Sequence, residues 1–298
     1  MHTDDKSKNV NHDEPDNSPR DKIRYREYKI LLRPERFVSP SVYEEFWKVV
    51  QRTADAHNVR ITENPEPFEN QVRSVLFFDT PRFRLYNNHF IVRLRTLYRN
   101  GWPIATPELT VKFRHPDFET AAAVDVRPAT PGATRIKFKE ELLPFHDRLG
   151  AMRSIFSHNC ILSLPRVAAN LAVADIASAF PAFRSIAASA DTDRLALVNN
   201  VAVEELQANI GILHFGHGLN GKATVAVWRD RAREHAFCGE FAFQCKFEDE
   251  SQMHASSLAK ADEFYKAVQM DAGEWVMLAA TKTALVYGLG SIPATNAE

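Results

Sequence analysis

The stretch FIVRLR at residues 90–95 puts a charge on every second residue, so in an extended strand Arg93 and Arg95 line one face while Val92 and Leu94 line the other. The same period recurs at residues 25–29 (YREYK), which sets Glu27 and Lys29 on one face, and at residues 109–114 (LTVKFR), which does so for Lys112 and Arg114. Further along, Arg135, Lys137, Lys139 and Glu141 alternate with Ile136 and Phe138. In the stretch 239–248, Glu240, Ala242, Gln244, Lys246 and Glu248 oppose Phe241, Phe243, Cys245 and Phe247. Each strand therefore has an ionic face and an apolar one. If the strands belong to one sheet, the apolar face needs helices over it, and amphipathic stretches near 41–57, 145–180 and 256–269 can supply them. The ionic faces are then left to face water or one another. An antiparallel sheet that curls closed gathers them into a hydrated lumen. Like charges at that spacing repel unless counter-charge is present, which predicts a bound polyanion.

Composition is compatible with such a lumen but does not demand it. The 298 residues, 45% hydrophobic and 25% charged, are enough for one large or two modest globular domains. A formal net charge of −1 gives no global basic field, so nucleic acid is not the expected partner and any anion site must come from local segregation of charge. Cys160, Cys238 and Cys245 are too few and too scattered for a disulfide framework, and no Cys/His group has zinc spacing. A cytoplasmic setting is expected. No apolar run approaches the roughly 18–20 residues of a membrane span, so no membrane partner is expected. The sequence does not address oligomeric state.

Residues 1–22, rich in Asp, Asn, Lys, Ser and Pro without hydrophobic period, are expected to form a disordered tail. Residues 23–290 are expected to form a single domain, and 291–298 a flexible C-terminal tail. Within the domain, Ser39 and Pro40 suggest a helix start, as N-cap and first helical residue, for a helix reaching about His57. Strands are expected at 23–32, 72–79, 90–97, 109–113, 135–142, 201–215, 223–230 and 239–248. A helical insertion is expected at about 145–188, a helix at 256–269, and a segment without clear period at 275–287. Phe241, Phe243, Phe247 and Trp228 are read as core aromatics.

Several of these residues resemble the CYTH family of triphosphate tunnel metalloenzymes: Glu27-x-Lys29, FFDT at 77–80, Arg93-x-Arg95 after RLYNNHFIV, LTVK ending at Lys112, and a late Glu240, in matching order and spacing. Thr281-Lys282 adds a likeness to polyphosphate polymerase domains. The resemblance implies an α+β fold in which an eight-stranded antiparallel β tunnel barrel carries helices on its outside. It also implies a ligand containing triphosphate or polyphosphate, held by inward Lys and Arg, and a divalent cation, Mg or Mn, held by inward carboxylates. Phosphate oxygens then fall to Lys29, Arg93, Arg95, Lys112, Arg114, Lys137, Lys139, Lys246 and Lys282, since arginine clamps two oxygens and lysine supplies a point charge. Metal binding falls to Glu27, Glu141, Glu240 and Asp230 of WRDR.

The implied chemistry is metal-assisted hydrolysis of an inorganic or organic triphosphate, with Glu27, Lys29, Arg93, Arg95, Lys112 and Glu141 as the catalytic group. Alternatives are a non-catalytic polyphosphate- or nucleotide-binding module, a class IV-type adenylate cyclase and a polyphosphate polymerase. There is no Walker-type glycine loop, no G-x-S-x-G elbow and no HExxH helix to suggest a different chemistry. The chain departs from the family pattern at two places. Tyr25 stands where the first-strand E-x-E-x-K signature has its first acid, and Glu240 is followed by Ala242 where a second acid is implied.

Overall fold

The computed structural model describes residues 21–130, 132–164, 171–190, 192–248, 253–278 and 280–288. The expected tails fall outside the described residues except for Asp21 and Lys22. The chain opens with β1 (Tyr25–Leu32), α1 (Val42–Ala56), β2 (Arg60–Glu63), β3 (Asn70–Asp79) and β4 (Phe90–Arg99). It continues through β5 (Trp102–Pro103), β6 (Glu108–His115), α2 (Phe118–Ala123), β7 (Thr134–Pro144) and β8 (Met152–Ser163). Two short helices, α3 (Val173–Ala179) and α4 (Arg184–Ala190), precede β9 (Ala196–Leu197), β10 (Val203–Gly216), β11 (Leu219–Asp230) and β12 (His235–Lys246). Helices α5 (Ala255–Asp271) and α6 (Lys282–Gly288) complete the described chain.

Among the described residues, nine strands pair edge to edge in the order β10, β11, β12, β1, β7, β8, β6, β4, β3, and β3 pairs back onto β10, so the sheet closes into a ring. The closing register runs from Val203 opposite Val75 to Ala208 opposite Asn70. This ring differs from the expected eight-stranded antiparallel barrel in two respects. It contains nine strands, and β1 and β7 run parallel, with Tyr25 opposite Lys139 and Glu27 opposite Glu141. The extra strand is β8, which lies inside the stretch expected to be a helical insertion. It pairs with both β6 and β7, and only α3, α4 and a short helical turn between them fit the helical expectation. Helix α1 starts at Val42 behind Ser41, with Ser39 bonded side chain to side chain to Ser41 at 2.8 Å, rather than at the expected Ser39-Pro40.

Alternation decides which side chains enter the ring. The outward residues of β1, β10, β11 and β12, including Tyr28, Ile30, Val225, Phe241 and Phe243, form one core with α1 and α5. Outward Val92, Leu94, Leu109, Val111 and Cys160 form a second core with α3 and α4 through Val173, Ile176 and Ile186. A third cluster fills one end of the ring, where Phe77, Ile91, Val203 and Trp228 meet Val286 and Tyr287 of α6. Burying aromatic side chains of this size contributes about 1.5–3 kcal/mol each, so the two outer cores and the end cluster supply the apolar stabilisation and the polar stretch of the interior is left to chemistry. No helix among the described residues is long and apolar enough to cross a membrane.

The FFDT stretch proves to be a turn anchor. Asp79 is buried and accepts hydrogen bonds from the backbone N–H groups of Thr80 (2.6 Å), Leu85 (3.0 Å) and Tyr86 (2.9 Å), which fixes the chain between β3 and β4. Those bonds place the start of β4, and with it the height of Arg93 inside the ring.

Candidate functional site: a cationic interior

Inside the ring lies a cavity of about 400 Å³. Register brings its walls together row by row. Lys112 on β6 lies beside Asn159 on β8, which lies beside Lys137 on β7, and the next row is Arg114, Ser157 and Lys139. On β4, Arg93 and Arg95 face the same space, with Arg73 on β3 and Glu205 on β10 directly paired. Among the described residues, eleven Lys and Arg line the cavity against four Glu, a formal excess of seven positive charges within a chain of net charge −1. Enclosing one sign of charge between low-dielectric walls focuses the field on whatever enters.

Of the residues singled out in the sequence, Glu27, Lys29, Arg93, Arg95, Lys112, Arg114, Lys137, Lys139, Glu141, Glu240 and Lys282 all line this cavity. Two others stand apart. Lys246 is exposed at the end of β12 and pairs with Glu248 at 3.4 Å. Asp230 is buried at the end of β11, where it accepts from the backbone N–H of Ala232 at 2.8 Å and meets Arg233 at 3.4 Å. Trp228, read as core, packs into the end cluster and also reaches the cavity wall, donating from Nε1 to Glu205 at 2.7 Å.

Sequence reading missed Arg73, Arg153, Lys222 and Glu205, all of which line the cavity. Their signal is the same alternation with neutral polar neighbours: Gln71 with Arg73 on β3, and Glu205 with Gln207 and Asn209 on β10. Glu205 is a hub, ion-paired to Arg73 at 3.0 Å, Arg95 at 3.4 Å and Lys282 at 3.6 Å. Arg73 also bonds the side chains of Gln207 and Gln71.

No family model matches the chain, and no curated protein matches it. Among solved structures, the chain is similar to a candidate adenylyl cyclase from Hippeastrum described as having a dominant triphosphatase activity, at 14% identity and TM-score 0.39 over 91% of this chain and 98% of that one. It is similar also to a candidate adenylate cyclase from Bacillus halodurans, at 12% identity and TM-score 0.37 over 86% of this chain and 93% of that one. A third, from Vibrio parahaemolyticus, has 12% identity and TM-score 0.33 over 87% and 96% of the two chains. At those values the chemistry has to be argued from the site's own geometry.

That geometry divides the cations into paired and unpaired. Glu141, with its side chain 2% exposed, meets Lys112 at 2.5 Å, Lys29 at 3.1 Å and Arg114 at 3.2 Å, and accepts from Ser157 Oγ at 2.7 Å. Burial opposes its charge, but Lys112, Lys29 and Arg114 outweigh burial and hold its carboxyl well below the usual range. For Lys29, burial opposes the charge and Glu141 and Glu27 outweigh it, so its ammonium is held above the ordinary lysine range. Arg93 is the contrasting case. It has no hydrogen-bond or ion-pair partner among the described residues, its Nε is buried, and burial followed by the nearby Arg95 pushes its guanidinium downward. A half-buried cation without a partner is unfavourable, so an anion at this point would relieve the site.

The same contacts test whether the residues fit a divalent cation. Glu27 meets Lys139 at 3.0 Å and Lys29 at 3.1 Å, Glu240 meets Lys282 at 2.6 Å, and Glu141 and Glu205 are held as above. All four interior carboxylates thus have ammonium partners, and among the described residues no group of three or more His, Cys, Asp or Glu is placed to hold a metal ion. Mg binding needs carboxylate and water oxygens in a near-octahedral set at about 2.0–2.1 Å, which this arrangement does not present. The residues do not fit the metal that the CYTH resemblance implies.

Proposed function

We propose that the interior of the ring binds a linear polyphosphate group, either inorganic triphosphate or the triphosphate portion of an organic molecule. The observation that carries the reading is Arg93, a half-buried guanidinium with no hydrogen-bond or ion-pair partner among the described residues, within a local excess of seven positive charges. A phosphate chain suits such a site because each unit presents several acceptor oxygens. Arg93 and Arg95 can take these bidentately, and Lys137 and Lys222 can hold them as point charges. The resemblance to CYTH proteins in Glu27-x-Lys29, Arg93-x-Arg95 and Lys112 supports the same ligand class. Turnover of the bound chain is the finer reading of that resemblance. The engaged carboxylates do not favour it, and binding is the function assigned.

Calorimetric titration with inorganic triphosphate tests the proposal. A dissociation constant of about 1 µM or tighter is expected at low ionic strength, weakening as salt is added. Absence of binding at millimolar triphosphate in low salt would remove the reading.

Lys137 gives the site a pH dependence. Burial, then the charges of Lys139 and Arg135, push its ammonium down to about 8, with Tyr25 offering only its ring face at 5.1 Å. Above that pH the free protein presents a neutral amine, so triphosphate affinity is expected to fall as pH rises from about 7 to about 9. In Lys137→Gln this part of the profile should flatten. The same slope in variant and parent would show that another group is responsible.

A further inference from the structure

We infer that the cavity takes its polyphosphate as the free anion, with lysine ammonium groups standing where a carboxylate-held divalent ion would otherwise stand. The inference rests on the polyphosphate reading above and names the form in which the ligand is taken. Its centre is Lys29. The carboxylates of Glu27 and Glu141 come from directly paired positions on β1 and β7, the arrangement in which two acids could share one cation. The cation they share is the Lys29 Nζ, 3.1 Å from each. On the neighbouring strands the Lys282 Nζ takes the corresponding part, 2.6 Å from Glu240 of β12 and 3.6 Å from Glu205 of β10.

Tyr25 extends the pattern. At the first position of Tyr25-x-Glu27-x-Lys29 an aromatic ring replaces a possible oxygen ligand, and its face lies 5.1 Å from the Lys137 Nζ and 5.6 Å from the Lys139 Nζ. Such a face attracts ammonium groups through the ring quadrupole and offers a hard divalent ion no carboxylate oxygen. A divalent ion placed on any interior carboxylate would also sit beside an ammonium already bonded to it, like charge against like charge. Bound to the ligand instead, the ion would cancel two of the negative charges for which the cavity's excess of seven cations is suited.

Two titrations of the intact protein with inorganic triphosphate, one in EDTA and one with Mg in excess over the ligand, decide the matter. Affinity in EDTA is expected to be the tighter, with Mg weakening it about fivefold or more by charge cancellation. Tighter binding with Mg than in EDTA overturns the inference while leaving the polyphosphate reading standing. No binding under either condition overturns that reading, and the inference with it. The second measurement uses Mn alone, followed by its free-ion spin resonance signal. The parent protein should leave the signal intact, and Lys29→Met, which releases Glu27 and Glu141 from their shared ammonium, should diminish it. Depletion of the Mn signal by the parent protein would overturn the inference without reference to any variant.

Discussion

Arg93→Ala is expected to weaken triphosphate binding by about 10- to 100-fold, because a charge-assisted contact to phosphate is worth about 1.5–3 kcal/mol and each 1.4 kcal/mol is a factor of ten. Folding stability should change by less than about 1 kcal/mol, and in either direction, since the lost guanidinium had no partner to abandon and its burial was a cost. The pairing of a large effect on binding with a small one on stability is the diagnostic result. Calorimetry gives the first quantity and urea denaturation of the ligand-free variant gives the second. A loss of several kcal/mol of stability would instead identify Arg93 as a structural residue of the ring.

Glu141→Gln should do the reverse. Its carboxylate is the counter-charge for Lys112, Lys29 and Arg114 at 2.5–3.2 Å, so the substitution leaves three cations crowded around a neutral amide. Breaking a buried ionic group from one side costs about 3–5 kcal/mol, and that loss is expected in urea denaturation. Triphosphate affinity of the folded variant should hold or improve, because the released cations become available to the ligand. A variant as stable as the parent would show that the Glu141 network contributes nothing to the fold. The parent has the matching pH behaviour. Glu141, Glu27 and Glu205 all have folded carboxyl values held below the ordinary range, so their stabilisation is complete above about pH 4.5. It drains away as pH falls below that value, when protonation removes the partners of the lysines.

The strands were legible wherever charge and bulk alternate strictly. The stretches around Glu27, Arg93, Lys112, Lys137 and Phe243 all lie where alternation puts them, ionic side in and aromatic side out. β8 escaped because its inward residues include the small, neutral Ser157 and Asn159, while Ile155, Phe156, Cys160, Ile161 and Leu162 scatter apolar character along both faces. Without a charge on every second position, its period could not be told from that of the Ala-rich helices that follow. Losing β8 made the expected ring one strand too small. Asp230 and Lys246 show a different limit. Both continue the alternation of inward residues on their strands, yet they sit at strand ends, beyond the cavity. Alternation assigns a residue to a face, whereas its height inside a ring depends on pairing register, which a single strand does not contain. Glu205, followed along its face only by the neutral amides Gln207 and Asn209, becomes a hub only through register, when β10 meets β3 on one side and β11 on the other.

The pairing of β1 with β12 brings Tyr25 opposite Lys246, residues 221 positions apart in the chain. At synthesis rates of about 5–20 residues per second, β1 waits roughly 10–45 s on the ribosome for the neighbour that closes its edge. Contacts of such range are slow to form, because the loop between them must be closed before they stabilise anything. Until then the interior cations lie on an open sheet, solvated and screened by salt, with no enclosed field. The affinity of the site for polyanions therefore arises at one moment, late in the life of the nascent chain, when the last strand of the ring is drawn into place.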